Sequence, residues 1–172
     1  MKIIVILSDG TWQTEDQKSI TENGKKIPSP SNVVLTKNLI ANQHPVSNVI
    51  QATFYDEGIN GTNIFSKIYS GITGAGLNKN ILDCYTYLMN NYEPGDQLFF
   101  FGYSRGAFTI RSLAGIIRKC GILKSNLSSK INEMLDLYRS EDSPNKPIPS
   151  KFRELNSIDG ELNTEINFLG VW

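Results

Sequence analysis

The sequence predicts an α/β fold, a parallel sheet with helices on both faces, and three observations carry the prediction. Short runs of consecutive apolar residues, 3–7 and 98–101, suit strands buried on both sides. Between them lies a helical pattern in which Leu77, Ile81, Tyr85, Leu88 and Tyr92 step by four, four, three and four. Strands and helices then alternate along the chain, which favours parallel pairing through right-handed crossovers.

The first strand covers residues 3–7. Its apolar run ends at Ser8-Asp9-Gly10 with no small-residue cleavage site, so it reads as a strand rather than a leader peptide. Residues 10–30 are polar, contain Gly24, Pro28 and Pro30, and read as a long loop. Ser31 is the expected N-cap of a helix over 32–42, with Val34, Leu35, Leu39 and Ile40 on its apolar side and Pro45 past its end. Residues 49–55 read as a second strand, and 56–76, with Gly58, Gly61, Gly71, Gly74 and Gly76, as a glycine-rich loop. Pro94-Gly95-Asp96 stops the helix that follows. Helical spacing resumes from Arg105 through Ile110, Leu113, Ala114 and Ile117, and Gly121 is the expected stop. A further helix is expected over 128–139, a loop with Pro144, Pro147 and Pro149 over 140–150, and a last buried strand over 166–172.

Composition bounds the function. A 40% hydrophobic, 20% charged chain of 172 residues folds around a core, and residues 1–172 are expected to form a single domain. Formal net charge is zero and no basic run occurs, which argues against a nucleic-acid partner. No apolar stretch approaches the ~20 residues a transmembrane helix needs. Cys84 and Cys120 are expected to be buried free thiols of a protein made in a reducing, cytoplasmic compartment. No cofactor and no metal are expected.

Gly102-Tyr103-Ser104-Arg105-Gly106 matches G-x-S-x-G, with an apolar strand leading in and an amphipathic helix leading out. That strand–turn–helix setting is what a nucleophile elbow needs. Gly102 and Gly106 let strand and helix approach closely, and Ser104 is held in a strained turn at the top of the sheet. The backbone N–H of Arg105, at a helix N-terminus, is a candidate oxyanion donor. Asp9-Gly10-Thr11 follows the first strand, and the N–H of Thr11 or Gly10 is the candidate second donor. The alternative is a turn closed by the Asp9 side chain on its own backbone. A phosphatase with an aspartate nucleophile two residues before Asp9 is discounted, because that position is Leu7.

The segments from Gly71 to Leu77 and from Tyr92 through the elbow to Gly115 resemble the α/β-hydrolase family of domain of unknown function 2235. That family includes the catalytic domain of type VI secretion phospholipase effectors. Residues 8–12, 31–33 and 168–172 resemble it too, so the likeness spans the chain. Two stretches depart from the pattern: Ser8 stands where Phe is usual, and residues 58–62 differ. The resemblance implies an α/β-hydrolase-like serine esterase or phospholipase with Ser104 as nucleophile. It implies a lipid or ester substrate, an inhibitory or immunity partner, and delivery by a secretion system without a signal peptide.

In the family the triad Asp follows the Gly-Val-Trp strand end and the triad His comes later. The expectation is therefore a truncated or split catalytic domain, incomplete at its C-terminus and completed by a second polypeptide. A non-catalytic pseudoenzyme that binds through the old pocket is the alternative. The single histidine, His44, is expected in a surface loop away from Ser104. Asp56 and Glu57 are expected as a solvated pair after the second strand. Arg105 and Arg111 are expected to pair with Asp9 or other carboxylates, with an anionic headgroup as the alternative partner.

Overall fold

In a computed structural model, residues 1–10, 13, 16–41, 49–57, 75–160 and 164–172 are described, with side chains from residue 79 onward in the helix that begins at 75. Four strands form one parallel sheet in the order β4-β1-β5-β6: β1 is Ile3–Ser8, β4 Gln51–Asp56, β5 Gln97–Gly102 and β6 Phe168–Val171. The alternating element pattern had predicted this arrangement. Ser8 lies opposite Asp56 on one side and Gly102 on the other, and Gly102 lies opposite Val171. The C-terminal ends of all four strands are thus level, the edge at which α/β sheets build their sites.

Helices cover both faces. Ile4, Ile6, Leu98 and Phe100 point into a large core with α2 (Ala75–Asn91) and α3 (Arg105–Cys120). The alternate residues of β1, Val5 and Leu7, pack against Val33 of α1 (Asn32–Leu39) in a smaller core on the other face. Because β1 has β4 and β5 at its edges and a core on each face, residues 4 to 8 are buried. The last strand differs from expectation. Phe168, Leu169, Val171 and Trp172 are exposed, since β6 is the edge of the described sheet.

Ser31 caps α1 as expected, accepting from the N–H of Val34 at 3.1 Å. The helix ends at Leu39, three residues before the predicted end, with Ile40 as its C-cap. His44 and Pro45 lie outside the described residues, as does most of the predicted glycine-rich loop. The predicted loop at 10–30 contains a small antiparallel hairpin, β2 (Lys18–Ile20) with β3 (Lys26–Pro28). Its strands are exposed throughout and have no apolar alternation to read.

After α3, Gly121 takes φ 75°, the left-handed stop the sequence predicted. A 3-10 turn over Ser125–Lys130 leads into α4 (Ile131–Arg139). The proline-rich stretch is not all loop, because Pro147 opens α5 (Pro147–Asn156). A proline in the first helical turn loses no intrahelical bond, so this cluster starts a helix instead of preventing one. Cys84 and Cys120 are buried free thiols in α2 and α3, and burial raises both, Cys120 to about 12.

Candidate active site

Strand β5 delivers the chain to Tyr103 and Ser104, and α3 leaves at Arg105. Ser104 has φ 54° and ψ −115°, the only positive φ at a non-glycine among the described residues. A serine at a helix N-cap normally bonds the first turn, but the Ser104 side chain makes no capping bond. The strain is held by the surrounding backbone. Ser104 N–H donates to Trp172 O at 2.9 Å, Tyr103 N–H to Ser8 O at 3.1 Å, and Gly106 N–H to Tyr103 O at 2.8 Å. The turn is therefore fastened to β1 and to the end of β6 at once.

The glycines explain how these elements fit. A Cβ on Gly106 would lie 1.9 Å from Ser8 O, and one on Gly102 would lie 2.6 Å from Gly106 O. Both sites must lack a side chain for α3 to start over the end of β1. Gly10 meets the elbow from the other side, since its Cβ would stand 2.8 Å from the Tyr103 ring and 3.1 Å from Ser104 Cβ. Gly10, Tyr103, Ser104 and Gly106, all singled out by sequence, are thus brought together. Thr11 lies outside the described residues.

Asp9 is 2% exposed and holds this corner. Its Oδ1 accepts from Gly10 N–H at 2.8 Å, and its Oδ2 accepts from Ser31 Oγ at 2.6 Å and from Tyr55 OH at 3.0 Å. The Asp9 side chain does close its own turn, so the Gly10 N–H is engaged. Arg111 is not among these partners. Asp9→Ala is expected to cost about 3 kcal/mol, because it strands three donors in a buried corner. Chemical denaturation would measure it, and a cost below about 1 kcal/mol would mean that these bonds are not made.

The solvated reading of Asp56 does not hold. Its Oδ2 accepts from Ser8 Oγ at 2.7 Å and from Asn80 Nδ2 at 2.8 Å, and only Glu57 is exposed. Burial raises the Asp56 carboxyl above the usual range, against the pull of the Ser8 and Asn80 bonds. A raised native pKa means that the folded protein holds a proton the unfolded chain has lost. The associated stability is present below the ordinary carboxylate range and is lost as pH rises through the native value. Denaturation midpoints from about pH 4 to about pH 7 should show this decline. Asp56→Asn should flatten it, and an unchanged slope in that variant would assign the effect to another group.

Beside Ser104 opens a cleft of about 620 Å³, lined by Ser104, Ala107, Phe108, Arg111, Ser112, Tyr138, Val171 and Trp172. Residues 104, 107, 108, 111 and 112 form one stripe along α3, at helical spacing. Tyr138 of α4 supplies the far wall and was missed in the sequence. The signal was Gly115, where a Cβ would meet the Tyr138 ring at 3.1 Å. Among the described residues no group of three or more His, Cys, Asp or Glu is arranged to hold a metal ion, and no helix is long and apolar enough to cross a membrane.

The family model for the type VI secretion phospholipase effector Tle1-like catalytic domain matches residues 2–172. The chain belongs to this family. A Tle1-like catalytic domain is thus carried on a parallel α/β sheet, with the elbow at the level edge of its strands. The chain is also 32% identical over 104 residues to an uncharacterized protein of Saccharomyces cerevisiae, over 56% of this chain and 15% of that one. It therefore spans a small part of that relative's length. No solved structure matches the chain.

Proposed function

We propose that this Tle1-like domain is the nucleophile-bearing part of an α/β-hydrolase-type serine hydrolase that cleaves carboxylic esters of lipids. Ser104 is its nucleophile. The observation that carries the reading is the strained Ser104, left out of helix capping and held at the mouth of a cleft. Backbone strain of this kind costs about 1–3 kcal/mol and persists where it serves a function. In this reading the tetrahedral oxyanion meets the first N–H of α3, that of Arg105, where the helix dipole is positive. The second donor comes from the loop after β1, at Thr11, since the Gly10 N–H already serves Asp9.

A serine hydroxyl needs a base to become a good nucleophile. Among the described residues lining the cleft none is a histidine or a carboxylate. We place the triad Asp and His on polypeptide outside residues 1–172, as the resemblance of the sequence implies. Delivery by a type VI secretion system and a lipid substrate belong to the same proposal and rest on the family match.

Labelling with a fluorophosphonate, which marks activated serines, tests the reading. Label is expected on Ser104 when the polypeptide bearing the Asp and His is present. A folded protein with both parts present that takes up no label, or a label that survives Ser104→Ala, overturns it.

A further inference from the structure

Arg111 was expected to pair with a carboxylate, and among the described residues none pairs with it. It is exposed, lines the cleft, and forms no hydrogen bond or ion pair with a described residue. Among the described residues lining the cleft none is acidic, and Arg111 is the one that carries a charge. Arginine presents a planar fork of donors suited to phosphate oxygens.

The placement along α3 adds to this. Arg111 lies seven residues beyond Ser104, two helical turns or about 10 Å along the axis. Side chains on a helix lean back toward its N-terminus, which brings the guanidinium toward the Ser104 end. Between the two stands Phe108, with Val171 and Trp172 opposite, all three exposed apolar groups. The cleft thus offers apolar surface beside Ser104 and one cation farther along.

We propose that Arg111 is a specificity-determining residue that binds the phosphate of an ester lipid, so that the site selects anionic phosphate-bearing lipids over neutral glycerides. The assignment rests on the reading of Ser104 as the nucleophile, but it concerns binding and can fail separately. Phe108, Val171 and Trp172 take the acyl part, and Arg111 takes the headgroup phosphate.

Binding to the Ser104→Ala protein tests it, because no turnover interferes. Three ligands are compared: monomeric dihexanoyl phosphatidate, dihexanoylglycerol and inorganic phosphate. Trp172 lines the cleft, so tryptophan fluorescence reports occupancy. Phosphatidate is expected to bind at least about tenfold more tightly than the glyceride, the worth of one charge-assisted contact. Adding Arg111→Gln should bring the two affinities within about twofold, and Arg111→Lys should keep part of the preference. Circular dichroism confirms that each variant is folded. A preference that survives Arg111→Gln, or failure of phosphatidate to bind, overturns the proposal. Inorganic phosphate binding as tightly as phosphatidate overturns the lipid assignment in favour of a free-anion site. Serine labelling is read separately, so an inactive Ser104 would leave this outcome unaffected.

Discussion

Gly106→Ala is expected to abolish the native fold or to lower its stability by at least about 4 kcal/mol, the range reserved for changes the structure cannot absorb. The added Cβ would lie 1.9 Å from Ser8 O, 2.4 Å from Ser8 C and 2.8 Å from Asp9 O. All three are main-chain atoms of a buried strand end, so no rotamer change relieves the clash. Either α3 lifts off the sheet or β1 shifts between β4 and β5, its two hydrogen-bonded neighbours. Lifting α3 also pulls Ser104 away from Gly10, so any folded fraction should lose labelling too. At about 2–4 °C per kcal/mol for a domain this size, the melting temperature should fall by about 10 °C or more. Gly95→Ala is the control. Gly95 has φ 91° but nothing within 4 Å of its Cβ position, so only backbone strain of about 1–2 kcal/mol is expected. A Gly106→Ala protein that melts within a few degrees of the Gly95→Ala control would show that α3 does not cross β1 this closely.

The parts of this architecture that rest on local physics were legible in the sequence. Consecutive apolar residues in β1 and alternation of strand with helix gave the parallel sheet. Ser31 and Gly121 marked helix ends through capping and a left-handed turn, both local effects. G-x-S-x-G placed Ser104 because the motif encodes the close approach that Gly102 and Gly106 permit. What the sequence hid depends on distant partners. Asp56 reads as a loop carboxylate until Asn80 and Ser8 are seen to bond it. Tyr138 becomes a cleft wall only when α4 packs on Gly115. That Arg111 has no partner among the described residues could not be read from the sequence, because pairing depends on which carboxylates fold nearby. The exposed hairpin of β2 and β3 left no pattern, since none of its side chains is buried.

Ser104 is where stability and function should separate. On the reading proposed above, Ser104→Gly and Ser104→Ala both remove the attacking oxygen, so neither should take up fluorophosphonate when the polypeptide bearing the Asp and His is present. Their stabilities should differ. Alanine keeps the Cβ that makes φ 54° and ψ −115° unfavourable, and the lost hydroxyl made no capping bond. Ser104→Ala should therefore melt close to the unmodified protein. Glycine relieves a strain of about 1–3 kcal/mol at a cost of roughly 0.5–1 kcal/mol in chain entropy. Ser104→Gly should come out more stable by about 1 kcal/mol, a gain of the kind expected when a functional residue is removed from a strained site. Urea denaturation of the three proteins, read beside labelling, separates the two arguments. A glycine variant less stable than the alanine one would show that the turn carries no strain at Ser104. Labelling that persists in the alanine variant would move the nucleophile to another residue, whatever the stabilities.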